Sequence, residues 1–424
     1  MINLIEDKST LLSFLGGNVN IDLIIPVWSS HRAHPLGNRL SFLYYRQSDG
    51  SDGIINFNHI DAKKLDKFDI SKIVHVNTLV LDNRYLKTIG LDYEWVYFEE
   101  NGKPFIFSEV VELVYRGYRN DFKELNDCVP LMKWYEVLKT IPNISTRREW
   151  DRKYTSAINL LGRMEGAGVR VVEENFIDSF GFPSNYLRNG FVFTQYNPYT
   201  ITGRPSNRHL GVNYSALNKS DGSRSNFVSR FDKGTLIQFD YESYHIRLIG
   251  KLVGYHFPSG ETAHQHLAKW YGISDYNESK GQTFKYLYGG LDDNARQIPF
   301  FKKVDEYIKA LWKEFIISGK LTTPLYKREI THSRIESPNE QKVFNYLLQA
   351  LETEVNYGKL RELMKWLSGR RSKLILYTYD AFLIDTHPVE KDEILNSLTT
   401  ILEKGGLPVR AYEGKNYNDL EVIS

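Results

Sequence analysis

Cysteine is nearly absent: the chain of 424 residues contains one, Cys128. A lone thiol closes no internal disulfide and builds no cysteine-based zinc site. This points to a reducing, cytoplasmic setting. No run of about 18 apolar residues occurs, so a membrane span is not expected. The opening MINLIEDKSTLLSF has no basic segment ahead of a long apolar core and does not read as a signal peptide. Neither sign of charge is in excess, since 54 Lys and Arg against 52 Asp and Glu leave a formal net charge of +2. That is too little to mark a nucleic-acid binder by itself, though a local basic groove fits within it. Glycine and proline are neither abundant nor periodic, which excludes collagen-like and mucin-like chains. With 42% apolar and 25% charged residues, the chain reads as a globular protein of two or three domains. Its 28 tyrosines suit base stacking and core packing equally, and decide nothing alone.

Segments 19–27 (VNIDLIIPV), 39–46 (RLSFLYYR) and 53–60 (GIINFNHI) read as strands bounded by turn formers. A helix over Val129–Thr140 follows, and IPNISTRR at 141–148 breaks it with Pro142. This first region is α/β in texture. Beyond it, Ala157, Leu160, Leu161 and Met164 recur at helical spacing within 149–167, before Gly166 and Gly168 turn the chain into VRVV. TLIQFD at 235–240 reads as a strand, and 244–253, 277–288, 300–317 and 339–367 as helices. KLILYTYDAFLID at 373–385 reads as a hairpin.

Two aspartates terminate apolar strands: Asp240 closes TLIQF, and Asp380 sits at the hairpin tip. Paired carboxylates of this kind can hold two divalent cations about 3.5–4 Å apart for in-line phosphoryl transfer, and Mg²⁺ suits such a sparse ligand set. Either aspartate alone would pass for a turn former or cap. Between them, Lys280, Phe284 and Tyr288 recur every four residues, one drifting stripe on a helix. The lysine lies near the amino end, where free amides and the dipole favour phosphate. The aromatics could stack on a base and sugar. The bland alternative is an amphipathic helix with two core aromatics. Thr202-Gly203-Arg204 offers a tight turn and an arginine for phosphate or a groove edge, or else a solvated surface side chain. Asn345 and Gln349, four apart, face one way and suit minor-groove acceptors.

In this order the segments resemble the family A (Pol I-like) DNA polymerases. TITGRPS is similar to their T-x-T-G-R-x-S segment, and RMEGAGVRVV to the M-E-x-x-G segment before the thumb. SRSNFVSRFDKGTLIQFDYESYHIRLIG resembles the stretch from their arginine through motif A. KGQTFKYLYGG resembles the O helix, LTTPLYKRE the T-x-x-G-R-R loop, FNYLLQALETE the N-x-x-x-Q helix, and LYTYDAFLID motif C. The resemblance covers about residues 150–424. It implies an α+β right-hand fold with an antiparallel palm sheet, helical fingers and a reduced thumb, preceded by an α/β exonuclease-like domain. The domains it implies are 1–145 for a degenerate 3′–5′ exonuclease-like domain and 146–424 for the polymerase. Within the latter the thumb would be 150–195, the palm 196–254 and 368–424, and the fingers 255–345.

The activity implied is template-directed extension of a primer 3′-OH with dNTPs, without proofreading. The cofactor would be two Mg²⁺ ions, with Mn²⁺ as a substitute. Asp240 and Asp380 match the metal-binding carboxylates, and Tyr241 would offer its carbonyl. Lys280, Phe284 and Tyr288 match the nucleotide face of the O helix, and His264 the triphosphate histidine, with His266 as a competitor. Arg204, Arg224, Arg328, Asn345 and Gln349 match primer-template contacts. Partners implied are primer-template DNA, dNTPs and a processivity factor, single-strand-binding protein or helicase, with no membrane. Compactness suggests a phage or mobile-element enzyme.

The departures are specific. His245 stands where the family has glutamate, and is bulky enough to exclude a ribose 2′-OH. Tyr276 replaces an arginine four residues before Lys280, motif C reads Tyr379-Asp380-Ala381, and Gln341 replaces an arginine. The stretch from Met164 to Arg204 is too short for a long helical thumb, at about 1.5 Å per residue. In the first region Asp22 lacks a D-x-E pattern, and LDYE supplies Asp92 and Glu94 only late; Asp82 is a further carboxylate there. An exonuclease-like fold without nuclease activity is therefore expected. His31, His34, His59 and His75 show no tight ligand spacing. The competing functions are a catalytically impaired DNA-binding accessory subunit and a single-subunit RNA polymerase-like enzyme.

Overall fold

The run IDLIIPVW is apolar on both faces, and it becomes a strand buried on both sides. In the computed structural model the first sheet comprises β1 (Asn3–Ile5), β2 (Ile21–Trp28), β3 (Leu40–Gln47), β4 (Asp52–Asn56), β5 (Leu79–Val80) and β6 (Leu91–Asp92). Their order is β1-β4-β3-β2-β5-β6. β2–β3 and β3–β4 pair antiparallel, whereas β1–β4, β2–β5 and β5–β6 pair parallel. Pro26 is tolerated because β5 pairs only with Leu23 and Ile24, leaving that side of β2 unladdered by Pro26. The structure describes residues 2–17, 19–28, 40–58, 70–107, 130–181, 187–193, 195–207, 212–258 and 260–423. Cys128, His31, His34 and His59 lie outside them, as do the expected strand end at 59–60 and helix start at Val129.

The chain divides into two compact units. One spans Met1–Gly166 and takes in Thr194–Tyr199 and Arg208–Gly211; the other comprises Ala167–Phe193, Thr200–Asn207 and Val212–Ser424. The first carries the sheet and α1 (Lys8–Gly16), α2 (Asn83–Leu86), α3 (Tyr93–Asn101), α4 (Leu131–Leu138) and α5 (Asp151–Glu165). α2 and α5 approach so closely that a Cβ at Gly162 would stand 2.8 Å from that of Arg84. Arg84 is fully buried there. It donates to Glu165 at 2.9 Å, to the Tyr196 carbonyl at 2.8 Å and to the Tyr199 hydroxyl at 2.9 Å.

The second unit holds two larger sheets. β7 (Val169–Val171), β8 (Leu187–Arg188), β9 (Phe191–Val192) and β10 (Phe227–Val228) form a small one with α6 (Glu173–Phe180) nearby in sequence. β11 (Thr235–Tyr241), the ribbon β12–β13 (Lys320–Thr322 and Glu329–Thr331), β14 (Lys373–Thr378), β15 (Ala381–Thr386), β16 (Val409–Gly414) and β17 (Glu421–Val422) follow. Five of these make an antiparallel sheet in the order β14-β15-β11-β16-β17. Its helices are α7 (Tyr244–Leu252), α8 (Ala263–Tyr271), α9 (Tyr276–Gly289), α10 (Pro299–Ser318), α11 (Glu340–Trp366) and α12 (Lys391–Glu403). The protein is thus α+β. Between Met164 and Arg204 the described residues hold one helix beyond α5, eight residues long, and short strands. No helix among the described residues is long and apolar enough to cross a membrane.

Candidate active site

Strand alternation places the first candidate carboxylate. Within β11, Gln238 and Asp240 interrupt an apolar run and share a face by the two-residue period. Asp240 lies opposite Ala381 on β15 and opposite Arg410 on β16. Asp380 immediately precedes Ala381, and its carbonyl accepts from the Tyr241 amide at 3.1 Å. The chain reverses from β14 to β15 through Tyr379 and Asp380 alone. A two-residue hairpin needs positive φ, and Tyr379 supplies it at +62° without being glycine. Asn356 of α11 holds that strained tip: its amide donates to the Tyr379 carbonyl at 2.6 Å and to the Tyr377 hydroxyl at 3.0 Å. Asn356 in turn accepts from Tyr244 of α7 at 2.7 Å.

Asp240 and Asp380 face one cleft of about 440 Å³, whose walls include Tyr241, His245, His264, Tyr276, Lys280, Phe284, Tyr288 and Glu352. Arg204, Arg410 and Tyr412 also line it. Burial, then the Asp380 charge, push the Asp240 carboxyl up to about 7; Lys219, Lys280 and Arg410 offset part of this. Asp380 is exposed at the tip. Partial desolvation in the cleft, followed by the Glu352 charge, holds its carboxyl above the usual range.

The lysine–aromatic stripe comes from α9. Its buried face is Ser279, Thr283 and Leu287. The Ser279 hydroxyl donates to the His264 carbonyl at 3.0 Å, and the Thr283 and Tyr271 hydroxyls meet at 3.0 Å. One residue on, Lys280, Phe284 and Tyr288 are therefore turned to the cleft rather than to a core. The start of α9 at Tyr276 corrects one expectation. Lys280 falls in the second turn, past the free amides, and the Asp275 side chain caps the first turn by accepting from Glu278 N.

His264 is fully buried, its ring edge-on to Tyr276 and Phe284 at 5.7 Å each. Its Nδ1 has no hydrogen-bond partner. Burial, and then the Lys280 charge, push the ring down to about 4. His266 is engaged elsewhere, with Tyr255 at 2.8 Å and Glu261 at 3.1 Å.

The remaining expected residues divide. Arg204 lines the cleft, its guanidinium 3.6 Å from the Tyr379 ring centroid and 3.3 Å from Glu352. Gly203 makes the turn at φ +70°, with its carbonyl accepting from Tyr357. Arg224 is not brought to the cleft: it donates to the Leu217 carbonyl at 2.7 Å and lies over Tyr417. Arg328 is fully buried beside the β12–β13 ribbon. Asn345 and Gln349 lie on α11 ahead of Glu352 but outside the cleft wall, and the Asn345 Oδ1 is buried without a partner. Gln341 ties α11 to α9 by donating to the Leu287 carbonyl.

A solved structure with this fold is the POL domain of Pol1 from M. smegmatis, in complex with DNA primer-template and dNTP. It aligns over 97% of this chain and 97% of its own, at a TM-score of 0.69 and 13% identity. At that identity the likeness is one of fold. No family model and no curated protein matches the sequence.

Sequence reasoning missed Arg410, Tyr412 and Glu352. Arg410 and Tyr412 follow from alternation along β16, once its pairing with β11 is known. Glu352 stands three residues after Gln349 on the same helix, and no local pattern marks it.

The first unit treats its carboxylates differently. Asp22 binds the Ser48 hydroxyl at 2.6 Å near the start of β2. Asp82 follows β5 and accepts from the Trp28 indole at 3.1 Å at the other end of β2. Asp22 and Trp28 are six residues apart along the strand, about 20 Å. Asp92 and Glu94 both take the Tyr199 hydroxyl, at 3.1 and 2.9 Å, within the Arg84 network. Among the described residues no group of three His, Cys, Asp or Glu could hold a metal.

Proposed function

We propose that this chain is a template-directed DNA polymerase of the family A type, extending a primer 3′-OH with dNTPs. The observation that carries the reading is the convergence of Asp240, Asp380 and the Lys280–Phe284–Tyr288 stripe on one cleft. The Asp240 carboxyl, raised by burial and by the Asp380 charge, suits divalent cations, which would relieve that charge. With only two carboxylates present, the shell would be completed by a backbone carbonyl such as that of Tyr241, by phosphate oxygens and by water, as Mg²⁺ prefers. When bound there, two such ions would activate the 3′-OH and stabilise the leaving oxygen.

The protein's own part is binding and orientation. Lys280 and Tyr288 are eight residues apart on α9, about 12 Å at 1.5 Å per residue. That span matches a nucleoside triphosphate laid tail-first along the helix. Lys280 and Arg410 would meet the triphosphate, and Arg410 makes up for the cation absent at Tyr276. The unpartnered His264 Nδ1, buried beside Lys280, gives a polar contact to the same group. Phe284 and Tyr288 would face base and sugar, and Arg204, Asn345 and Gln349 the primer-template. Incubation with a primer-template, dNTPs and Mg²⁺ tests this; extension should occur and should be lost in Asp380→Ala.

We further infer that the first unit is an exonuclease-like fold without proofreading activity. The mixed sheet order supports the likeness. Pro26 and Trp28 at the carboxyl end of β2, beside a lone Asp82, support the loss of chemistry. Metal-dependent degradation of single strands, abolished by changing Asp22 or Asp82, would overturn it.

A further inference from the structure

A continuous hydrogen-bonded chain crosses the sugar end of the cleft. The Tyr288 hydroxyl of α9 meets His245 Nδ1 of α7 at 2.5 Å. His245 Nε2 meets Glu352 Oε2 of α11 at 2.7 Å. Arg204 donates to the other Glu352 oxygen at 3.3 Å. The Glu352 side chain is 1% exposed, yet it belongs to the cleft wall. A carboxylate this enclosed is costly unless both oxygens are matched, as they are here.

The direction of the chain follows from the donors. A carboxylate only accepts, so Nε2 must carry a proton toward Glu352. In the neutral ring Nδ1 then keeps a lone pair and accepts the Tyr288 O–H. Partial burial and the Glu352 charge push the Tyr288 hydroxyl up to about 12, so it remains a donor at neutral pH. Both imidazole nitrogens are thereby consumed, and the ring is pinned at two points. Without the carboxylate, another rotamer or the other tautomer becomes available to the ring.

We propose that Glu352 is the positioning residue that makes this site select 2′-deoxynucleotides, acting through His245. The inference rests on the polymerase reading. The sugar of a nucleotide anchored by Lys280 and the two aspartates must pass beside the His245–Tyr288 wall. That wall presents bulk, and its imidazole has no free donor or acceptor, since both ring nitrogens and the Tyr288 proton are already engaged. A ribose 2′-OH placed against the imidazole would lose its water without gaining a partner from that ring, a loss of about 1–3 kcal/mol, or roughly 10–100-fold. Rejection thus comes from saturated hydrogen bonding as much as from size, and Glu352 is what saturates the imidazole.

The test is single-nucleotide insertion on a primer-template, comparing kcat/KM for a dNTP and the matching rNTP. The wild type should favour the dNTP, and Glu352→Ala should lower that preference by about tenfold. Glu352→Gln, whose amide oxygen still accepts from Nε2–H, should keep most of it. In a His245→Ala background Glu352→Ala should have no further effect, because the two act as one unit. In the metal-free protein, ¹⁵N NMR should show His245 protonated at Nε2 in the wild type and in Glu352→Gln, and a tautomer mixture in Glu352→Ala. An unchanged dNTP/rNTP ratio in Glu352→Ala, or a loss that adds in full to that of His245→Ala, overturns the proposal. Wild-type protein that extends no primer at all would instead bring down the polymerase reading.

Discussion

Asp92 beside Glu94 in the first unit can be set against Asp240 with Asp380 in the second. The forces on them are alike: burial comes first, and then the companion's charge, in raising Asp92 and Asp240. Their surroundings are opposite. Asp92 caps α3 through Trp95 N, shares Tyr199 with Glu94, and lies in the field of Arg84. Asp240 and Asp380 accept from no side chain among the described residues, and they open onto a cleft with Lys280 and Arg410 on its walls. Mutual repulsion of carboxylates is therefore not what marks a site. Access, together with cations not paired to a carboxylate, is what separates the proposed working pair from the structural one.

The comparison can be broken most sharply at the carboxylates themselves. Asp240→Ala or Asp380→Ala should reduce primer extension by about 10³-fold or more, since on the proposed reading each removes a metal-binding carboxylate. Neither should unfold the protein, because each relieves repulsion. Arg84→Met should do the reverse. It strands Glu165, Glu94 and Asp92 without their counter-charge and should cost about 3–5 kcal/mol in urea denaturation. An Arg84 variant as stable as the wild type would show that the first cluster is not structural.

Arg410 sharpens the contrast from the cationic side. It lies directly across from Asp240, is exposed, and makes no hydrogen bond or ion pair within the described residues. A charged hydrogen bond to phosphate contributes about 1.5–3 kcal/mol. Arg410→Ala should therefore raise the KM for dNTP by about 10–100-fold with little change in Tm. Arg410→Lys should recover the charge but not the planar fork. An unchanged KM would leave the triphosphate to Lys280 and His264.

What could be read in advance follows the range of each interaction. The α9 stripe was legible because i, i+4 spacing maps directly onto one helix face. Asp240 and Asp380 were legible as polar residues ending apolar strands. The Tyr379 tip was legible as a turn, but its positive φ was not, since tyrosine carries no signal for that conformation. Arg410 faces Asp240 across 170 residues of chain, and Glu352 meets His245 across 107. Strand register and helix packing create such neighbours, and no local periodicity announces them. Arg328 illustrates the converse: a motif position can be recognised while its burial stays hidden.

The smallest expected effect is on stability against pH, and it tells the two pairs apart in the free protein. Asp240 titrates near 7 when folded, against an ordinary value of 3.8. Between those values the folded protein holds a proton that the unfolded chain has released, so stability falls as pH rises from about 4 to about 7 and then levels. Asp92 is raised as well, so Asp240→Asn and Asp92→Asn should each flatten part of the slope in Tm. Divalent metal separates them. Binding at Asp240 requires its carboxylate form, so Mg²⁺ should raise Tm more at pH 8 than at pH 6. At tenfold over Kd the gain is about 1.4 kcal/mol, a few degrees for a chain of this size. Asp240→Asn should abolish that response and Asp92→Asn should leave it intact. A Mg²⁺ response lost in Asp92→Asn and kept in Asp240→Asn would reverse the roles assigned to the two pairs.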